Sequence, residues 1–208
     1  MWVYLDPGWV QDGAVPELGR GSVLSDTGLR ASCRSLAAAR TGDDGLTMLS
    51  GPKAPDGCWY ELTGLAGPAR DVWSEAAHLG AEFLIAAGDR GFVAHAGVPA
   101  GEVTAGLRVT AACTLSVIAD YEWDAFDLPG WRTSWSVRQL RVEYRRYHGP
   151  GAPWRGLPGV VLGSTEIDRM HRWSDAATRS PGLTTWYILD LVPLPAERGD
   201  PGGEPGRR

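Results

Sequence analysis

Apolar and polar residues alternate most regularly between positions 107 and 118, where every second residue from Leu107 to Val117 is apolar. A period of two places one set of side chains on one face of a strand. We therefore predict a β-strand here with one buried face.

The same period runs through residues 134–147 but changes phase once. Trp135 and Val137 belong to one phase, whereas Leu140 belongs to the other. One extra residue in a strand moves all later side chains to the opposite face, which is the effect of a β-bulge. We predict a bulge at Arg138-Gln139, with Val137 and Leu140 both directed into the core.

Shorter apolar runs bounded by turn-forming residues predict further strands. Gly88 and Gly91 separate two of these runs, and glycine supplies the positive φ that a hairpin turn requires. The predicted strands cover residues 2–5, 46–49, 58–62, 81–87, 92–96 and 184–192.

Helices are predicted in fewer places. Pro68 as a start signal and Gly80 as a stop signal predict one over residues 68–78, and a second is predicted over residues 166–178. Residues 28–40 fit both a helical stripe and the alternation of a strand. Helix is favoured there, and strand stays open as the alternative.

A strand at residues 60–64 is followed by the hairpin, a Pro-Ala-Gly turn at 99–101, the strand from 107 and the bulged strand from 134. This order resembles an OB-fold, in which five short strands close a small barrel. The resemblance implies a mainly β fold: an OB-like five-stranded barrel over residues 57–147 with flanking strands and one to three short helices. The helix predicted between the first two strands departs from that pattern. The whole chain also resembles small Trp-rich proteins of actinobacteria, which implies no particular activity.

Three further segments surround the predicted barrel. Residues 1–56 form an N-terminal extension that packs on the core, and residues 148–195 add a C-terminal helix and strand. The polar residues 196–208 are predicted to be a disordered tail. With 208 residues, 43% of them hydrophobic, the chain can bury a core.

Charge and cysteine content restrict location and partners. The net charge of −5 and the pI near 5.4 argue against a generally basic protein that coats nucleic acid. No apolar window approaches the about twenty residues of a membrane helix, and the first residues lack a secretory signal. Cys33, Cys58 and Cys113 are odd in number and widely spaced, so no disulfide framework is predicted. We expect a cytoplasmic protein without membrane contact.

Catalytic and metal-binding motifs are absent from the sequence, including G-x-S-x-G, G-x-x-x-x-G-K, C-x-x-C and H-E-x-x-H. No catalytic residue, cofactor or metal is predicted. Asp120, Glu122 and Asp124 would share one strand face and offer several oxygens to a divalent cation. A solvated strand end is the favoured interpretation, with weak or no metal binding.

Aromatic residues concentrate between the fourth and fifth predicted barrel strands. They either fold back as a lid on the core, which is favoured, or line a binding site, because loops on rigid barrels carry function. The five aromatic residues are Tyr121, Trp123, Phe126, Trp131 and Trp135. The predicted ligand-binding residues among them are Tyr121, Trp123, Trp131 and Trp135.

Arg141 and Arg145 complete the predicted ligand-binding set. After the bulge they share the outward face of the strand with Glu143. Arginines beside aromatic rings suit a groove for single-stranded nucleic acid. A polar outer face of the barrel is the favoured alternative.

The sequence predicts a non-catalytic binding module for a small ligand or a protein partner. One alternative is a small β-barrel enzyme of secondary metabolism, a lyase, isomerase or hydrolase with Asp, Glu or His in a Trp-lined pocket. The other is a single-stranded nucleic-acid binder, which the acidic pI disfavours.

Overall fold

The computed structural model describes residues 1–39, 42–75, 77–118, 131–146, 160–171 and 183–195. Within these ranges the fold is mainly β, as predicted. The strands are β1 (Trp2–Leu5), β2 (Val23–Thr27), β3 (Leu29–Ala38), β4 (Gly45–Ser50), β5 (Trp59–Ala66), β6 (Arg70–Trp73), β7 (His78–Ala87), β8 (Arg90–Ala96), β9 (Arg108–Val117), β10 (Thr133–Arg146), β11 (Val160–Ile167) and β12 (Leu183–Pro193). The helical elements are α1 (Pro7–Gln11) and a 3₁₀ turn (Ala100–Glu102).

Five strands close a barrel in the order β9-β3-β8-β7-β5, and β5 returns to pair with β9. The pair β3–β8 is parallel, and the other neighbours in the ring are antiparallel. Ala111, Cys113 and Leu115 of β9 point inward and are fully buried. The barrel, the strand from position 107 and the hairpin of β7 and β8 are thus confirmed.

The strand that completes the ring is not the predicted one. Four predicted strands lie in the ring as β5, β7, β8 and β9, but the bulged strand β10 lies outside it. Its place is taken by β3, which precedes the other four in the chain and pairs with both β8 and β9. The barrel therefore includes a strand from the predicted N-terminal extension.

The predicted helices at two places are wrong. Residues 28–40 contain β3, because its backbone bonds to the otherwise open edges of β8 and β9, and Leu29 and Ala31 fill the barrel interior. Residues 68–78 contain β6, which pairs with β7. Strand pairing thus outweighs local helical preference at both places. The helix predicted over residues 166–178 overlaps the end of β11, which extends to Ile167. Residues 172–178 of that prediction lie outside the described ranges.

A second group of strands extends the sheet from the barrel. β10 pairs with β11 and β12, β12 pairs with β1, and β1 runs parallel to β9 at Tyr4 and Ser116. Leu5, Leu115 and Leu189 are fully buried in one hydrophobic cluster. The barrel and this extension sheet (β1, β10, β11 and β12) therefore share one core.

The predicted bulge is present in β10. Val137 lies opposite Leu191 and Gln139 lies opposite Asp190, so that Arg138 is the extra residue. Val137 and Leu140 are both buried in the core, as predicted.

The described helical elements are short. Asp6 caps α1 by accepting a hydrogen bond from the Gly8 amide (2.8 Å). None of the helices in the described ranges is long and apolar enough to cross a membrane.

Candidate functional site

A cavity of about 620 Å³ lies where the barrel meets the extension sheet. It is lined by the start of β1, by β4, by the turn between β7 and β8, by the bulge of β10 and by the end of β12. Tyr60 and Phe92 are buried and Trp2 is half-buried, while Met48 is exposed at the cavity. We call this space the large cavity.

Tyr60 joins the barrel to β1 at this cavity. Its hydroxyl group accepts a hydrogen bond from the Trp2 amide (2.6 Å) and donates one to the Trp2 carbonyl oxygen (3.0 Å). Burial raises the pKa of Tyr60, so the phenol stays protonated and keeps both bonds. Tyr60 of the barrel thus fixes the backbone of β1 in the extension sheet at this cavity.

The bulge of β10 places a charged pair at the cavity. Asp190 is buried and accepts a hydrogen bond from Nε of the bulged residue Arg138 (2.6 Å). The amino group of Met1 also donates to Asp190, at 3.1 Å. The hydrogen bond to Asp190 raises the pKa of Arg138 further. The bulge, which the sequence revealed, therefore directs a guanidinium group towards this cavity.

The other acids at the large cavity also have cationic partners. Asp44 lies 2.7 Å from the Arg108 guanidinium group, and Asp89 lies 3.6 Å from that of Arg90. No histidine lines this cavity in the ranges that the structure describes. The lining thus combines aromatic and aliphatic surface with neutralised charge, which is typical of sites for small organic molecules.

A second polar group of residues lies between the extension sheet and the β4–β5 connection. Glu143 accepts a hydrogen bond from Nε of Arg145 (2.5 Å), and Arg145 also donates to the Tyr4 hydroxyl group (3.1 Å). The same hydroxyl group accepts a bond from the Cys58 amide (2.9 Å). Gly57 has φ +83°, and a Cβ atom there would overlap the Tyr4 hydroxyl group. The chain thus passes close over the ion pair and excludes water.

The prediction of an outward face with Arg141, Glu143 and Arg145 is therefore wrong. Their exposed fractions are 8%, 0% and 3%. The reason is that β1 and the residues before β5 cover this face of β10, which no local pattern indicates. Arg141 and Arg145 therefore do not lie on an exposed face, and the single-stranded nucleic-acid alternative stays a prediction.

Burial determines the ionisation of this network. Desolvation raises the pKa of Glu143, and the neighbouring Arg145 opposes the rise. Desolvation also raises the pKa of Cys58 to about 12, so its thiol is a poor nucleophile at neutral pH. Neither Glu143 nor Cys58 lines a cavity described here. The network stabilises the contact between the sheets and offers no exposed acid or base.

The two described tryptophans of the predicted site are buried. Trp131 packs on Leu84, Val93 and Ile118 on the outside of the barrel. Trp135 lies in the main core, and its indole N–H donates to the Thr27 carbonyl oxygen (3.0 Å). Both placements agree with the lid interpretation of these aromatic residues.

The remaining predictions fall outside the described ranges or away from the large cavity. Of the predicted ligand-binding residues that are described, Arg141 alone lines a cavity, the smaller one considered below. The aromatic residues Tyr121, Trp123 and Phe126 and the acids Asp120, Glu122 and Asp124 lie outside the described ranges. Their proposed contributions to a lid, a site or a metal centre stay predictions.

Sequence reasoning missed the residues that line the large cavity. Trp2, Tyr60, Phe92 and Asp190 were interpreted only as strand residues, and they are far apart in the chain. The one local signal was the phase change at Arg138. The other residues meet because the ring closes, so no motif or spacing could have identified them.

Among the described residues, no group of three or more His, Cys, Asp or Glu side chains converges as metal ligands would.

Comparison with known proteins adds no second line of evidence. No family model, curated protein or solved structure matches the chain.

Proposed function

We propose that this protein binds a small organic ligand in the large cavity and performs no chemical step on it. The observation that carries the proposal is the space of about 620 Å³, lined in part by Trp2, where the barrel meets the extension sheet. Ligand sites commonly have volumes of roughly 300–1,000 Å³ and lie where structural units meet. The cavity meets both conditions.

The lining indicates the general character of the ligand. The half-buried Trp2 offers aromatic surface to an apolar or planar part of the molecule, and the buried Tyr60 and Phe92 form the floor behind it. Arg138, which is largely exposed, offers hydrogen-bond donors to a polar substituent. An amphipathic molecule with one flat apolar part therefore fits best.

A neutral solvatochromic dye and a panel of aromatic fragments test this proposal. Met48→Arg adds a bulky charge to the cavity at a side chain that is 54% exposed, so the core stays intact. We expect binding to weaken about tenfold or more, since the longer arginine side chain occupies part of the cavity and presents a charged group to a neutral, apolar probe. Fluorescence titration and ligand-observed NMR measure the affinity.

Leu107→Arg is the matched control. Leu107 is 51% exposed, resembles Met48 in size and lies outside the large cavity. Its variant should bind the probes like the wild type. Equal binding by the wild type and both variants would place the probes elsewhere and refute the proposal.

A further inference from the structure

We propose that a second cavity, of about 420 Å³, binds an oxyanion, the phosphate or carboxylate group of a small molecule. It lies between β10 and the turn that follows β4, and Trp2 lines both this cavity and the large one. We call it the small cavity. The proposal stands on the donors of this cavity and does not require a ligand in the large one.

Lys53 supplies the first positive charge. It is the only lysine of the chain and lies on the turn that the Ala54 amide closes by donating to the Gly51 carbonyl oxygen (3.0 Å). Lys53 is exposed and forms no ion pair with any residue that the structure describes. Lys53 thus adds a positive charge to the lining of the small cavity that no described carboxylate neutralises.

Arg141 supplies the second charge, from a buried position. Its side chain is held by two bonds to Ser164, from Nε to Oγ (2.6 Å) and from Nη2 to the carbonyl oxygen (2.9 Å). Both acceptors are neutral, so these bonds orient the guanidinium group without neutralising it. Nε and one Nη2 hydrogen are used by Ser164, so the remaining Nη hydrogens of this fixed guanidinium group can donate to phosphate or carboxylate.

The remaining polar groups favour an anion over a cation. The Gln139 side chain has no hydrogen-bond partner in the described part of the chain and adds an amide donor. Glu166, which lies opposite Arg141 in the β10–β11 register, is the one acid among the described lining residues, and its exposed carboxylate pairs with Arg20 at 2.8 Å. The small cavity thus has a local excess of positive charge in a chain of net charge −5.

Titration of ¹⁵N-labelled full-length protein with inorganic phosphate tests the proposal. We expect saturable NMR shifts of the Gln139 side-chain amide and of the Lys53 and Ala54 backbone amides. Lys53→Ala should weaken binding about tenfold, because it removes one of two charges, and Lys53→Arg should restore most of the affinity. Arg34→Ala, at an exposed arginine outside the small cavity, is the matched control and should bind like the wild type.

A second pair of variants tests the small cavity without changing the buried Arg141. Gln139→Leu removes the amide donor at a half-buried position, whereas Met48→Arg blocks only the large cavity. Phosphate binding should weaken in Gln139→Leu and persist in Met48→Arg, which separates this proposal from the proposed function.

Acetate at matched ionic strength distinguishes the two sources of the oxyanion. Tighter binding of phosphate assigns a phosphate ester, and tighter binding of acetate assigns a carboxylate. Shifts that do not saturate, or that Lys53→Ala and Gln139→Leu leave unchanged, would show screening of surface charge and overturn the proposal.

Discussion

At the residue scale, Trp131 seals the outside of the barrel by lying directly over Gly28. A Cβ atom at Gly28 would overlap the Trp131 ring, and the Trp131 side chain is 3% exposed. Glycine is therefore required at this position by close approach of a ring, and not by backbone conformation.

The first prediction is a stability cycle between these two residues. Trp131→Ala should lower the free energy of unfolding by about 3–5 kcal/mol, and Gly28→Ala by about 1–3 kcal/mol, measured by urea unfolding. Gly28→Ala should become nearly neutral in the Trp131→Ala background, because the overlap is gone. Gly163→Ala is the control, since no atom lies within 4 Å of its added Cβ. An undiminished cost of Gly28→Ala in the double variant would contradict the contact.

The second prediction concerns the proton on Glu143. Its folded-state pKa is raised above the usual 4.5 by burial, so the folded state holds this proton more tightly than the unfolded state. The stability due to this group is therefore complete below pH 4.5 and is lost as the pH rises through the raised pKa. Glu143→Gln cannot titrate, so the stability of the wild type relative to the variant should decrease over that interval.

Urea unfolding of both proteins over a pH series measures this difference, in which other titrating groups cancel. The opposite slope, with the wild type gaining relative stability as the pH rises, would mean that the attraction of Arg145 exceeds the desolvation of Glu143.

At the scale of the element, the bulge in β10 directs the apolar residues on both sides of it into one core. Val137 and Leu140 both reach the core because Arg138 is the extra residue between them. The same residue places its charge at the large cavity. The bulge thus buries Val137 and Leu140 and at the same time places Arg138 at the large cavity.

The third prediction is that deleting Arg138 costs several kcal/mol of stability, because it turns one half of β10 inside out. Arg138→Ala keeps the bulge and removes only an exposed arginine's ion pair with Asp190. That control should cost about 1–2 kcal/mol, less than the deletion, because the buried Asp190 carboxylate keeps its hydrogen bond from the Met1 amino group. Thermal and urea unfolding compare the two; equal losses would show that the ion pair, and not the register, carries the effect.

At the scale of the whole molecule, the barrel depends on a strand that precedes the other four. β3 pairs with both β8 and β9. Without β3, the ring would have an open edge at β8 and another at β9. The domain predicted over residues 57–147 lacks this strand.

The fourth prediction is that a fragment of residues 57–147 shows no cooperative unfolding transition, because the ring cannot close. The full-length chain, in which β3 closes the ring and the extension sheet completes the shared core, is the control and should unfold cooperatively by circular dichroism. Cooperative unfolding of the fragment would contradict the requirement for β3.

The sequence by itself determined the features that depend on neighbouring residues. The alternation of β9, the glycines beside the β7–β8 turn and the phase change at Arg138 were each visible within about a dozen positions. They are local because side-chain direction and turn conformation follow from the backbone geometry of adjacent residues.

Only the tertiary structure decided how those elements combine. The pattern at residues 28–40 suits a helix or a strand, and the open edges of β8 and β9 select the strand. Arg141 and Arg145 have the pattern of an outward face, yet β1 and the residues before β5 cover them. Strand partners, burial and cavities depend on contacts between residues far apart in the chain, and the free energy of those contacts has no local signature in the sequence.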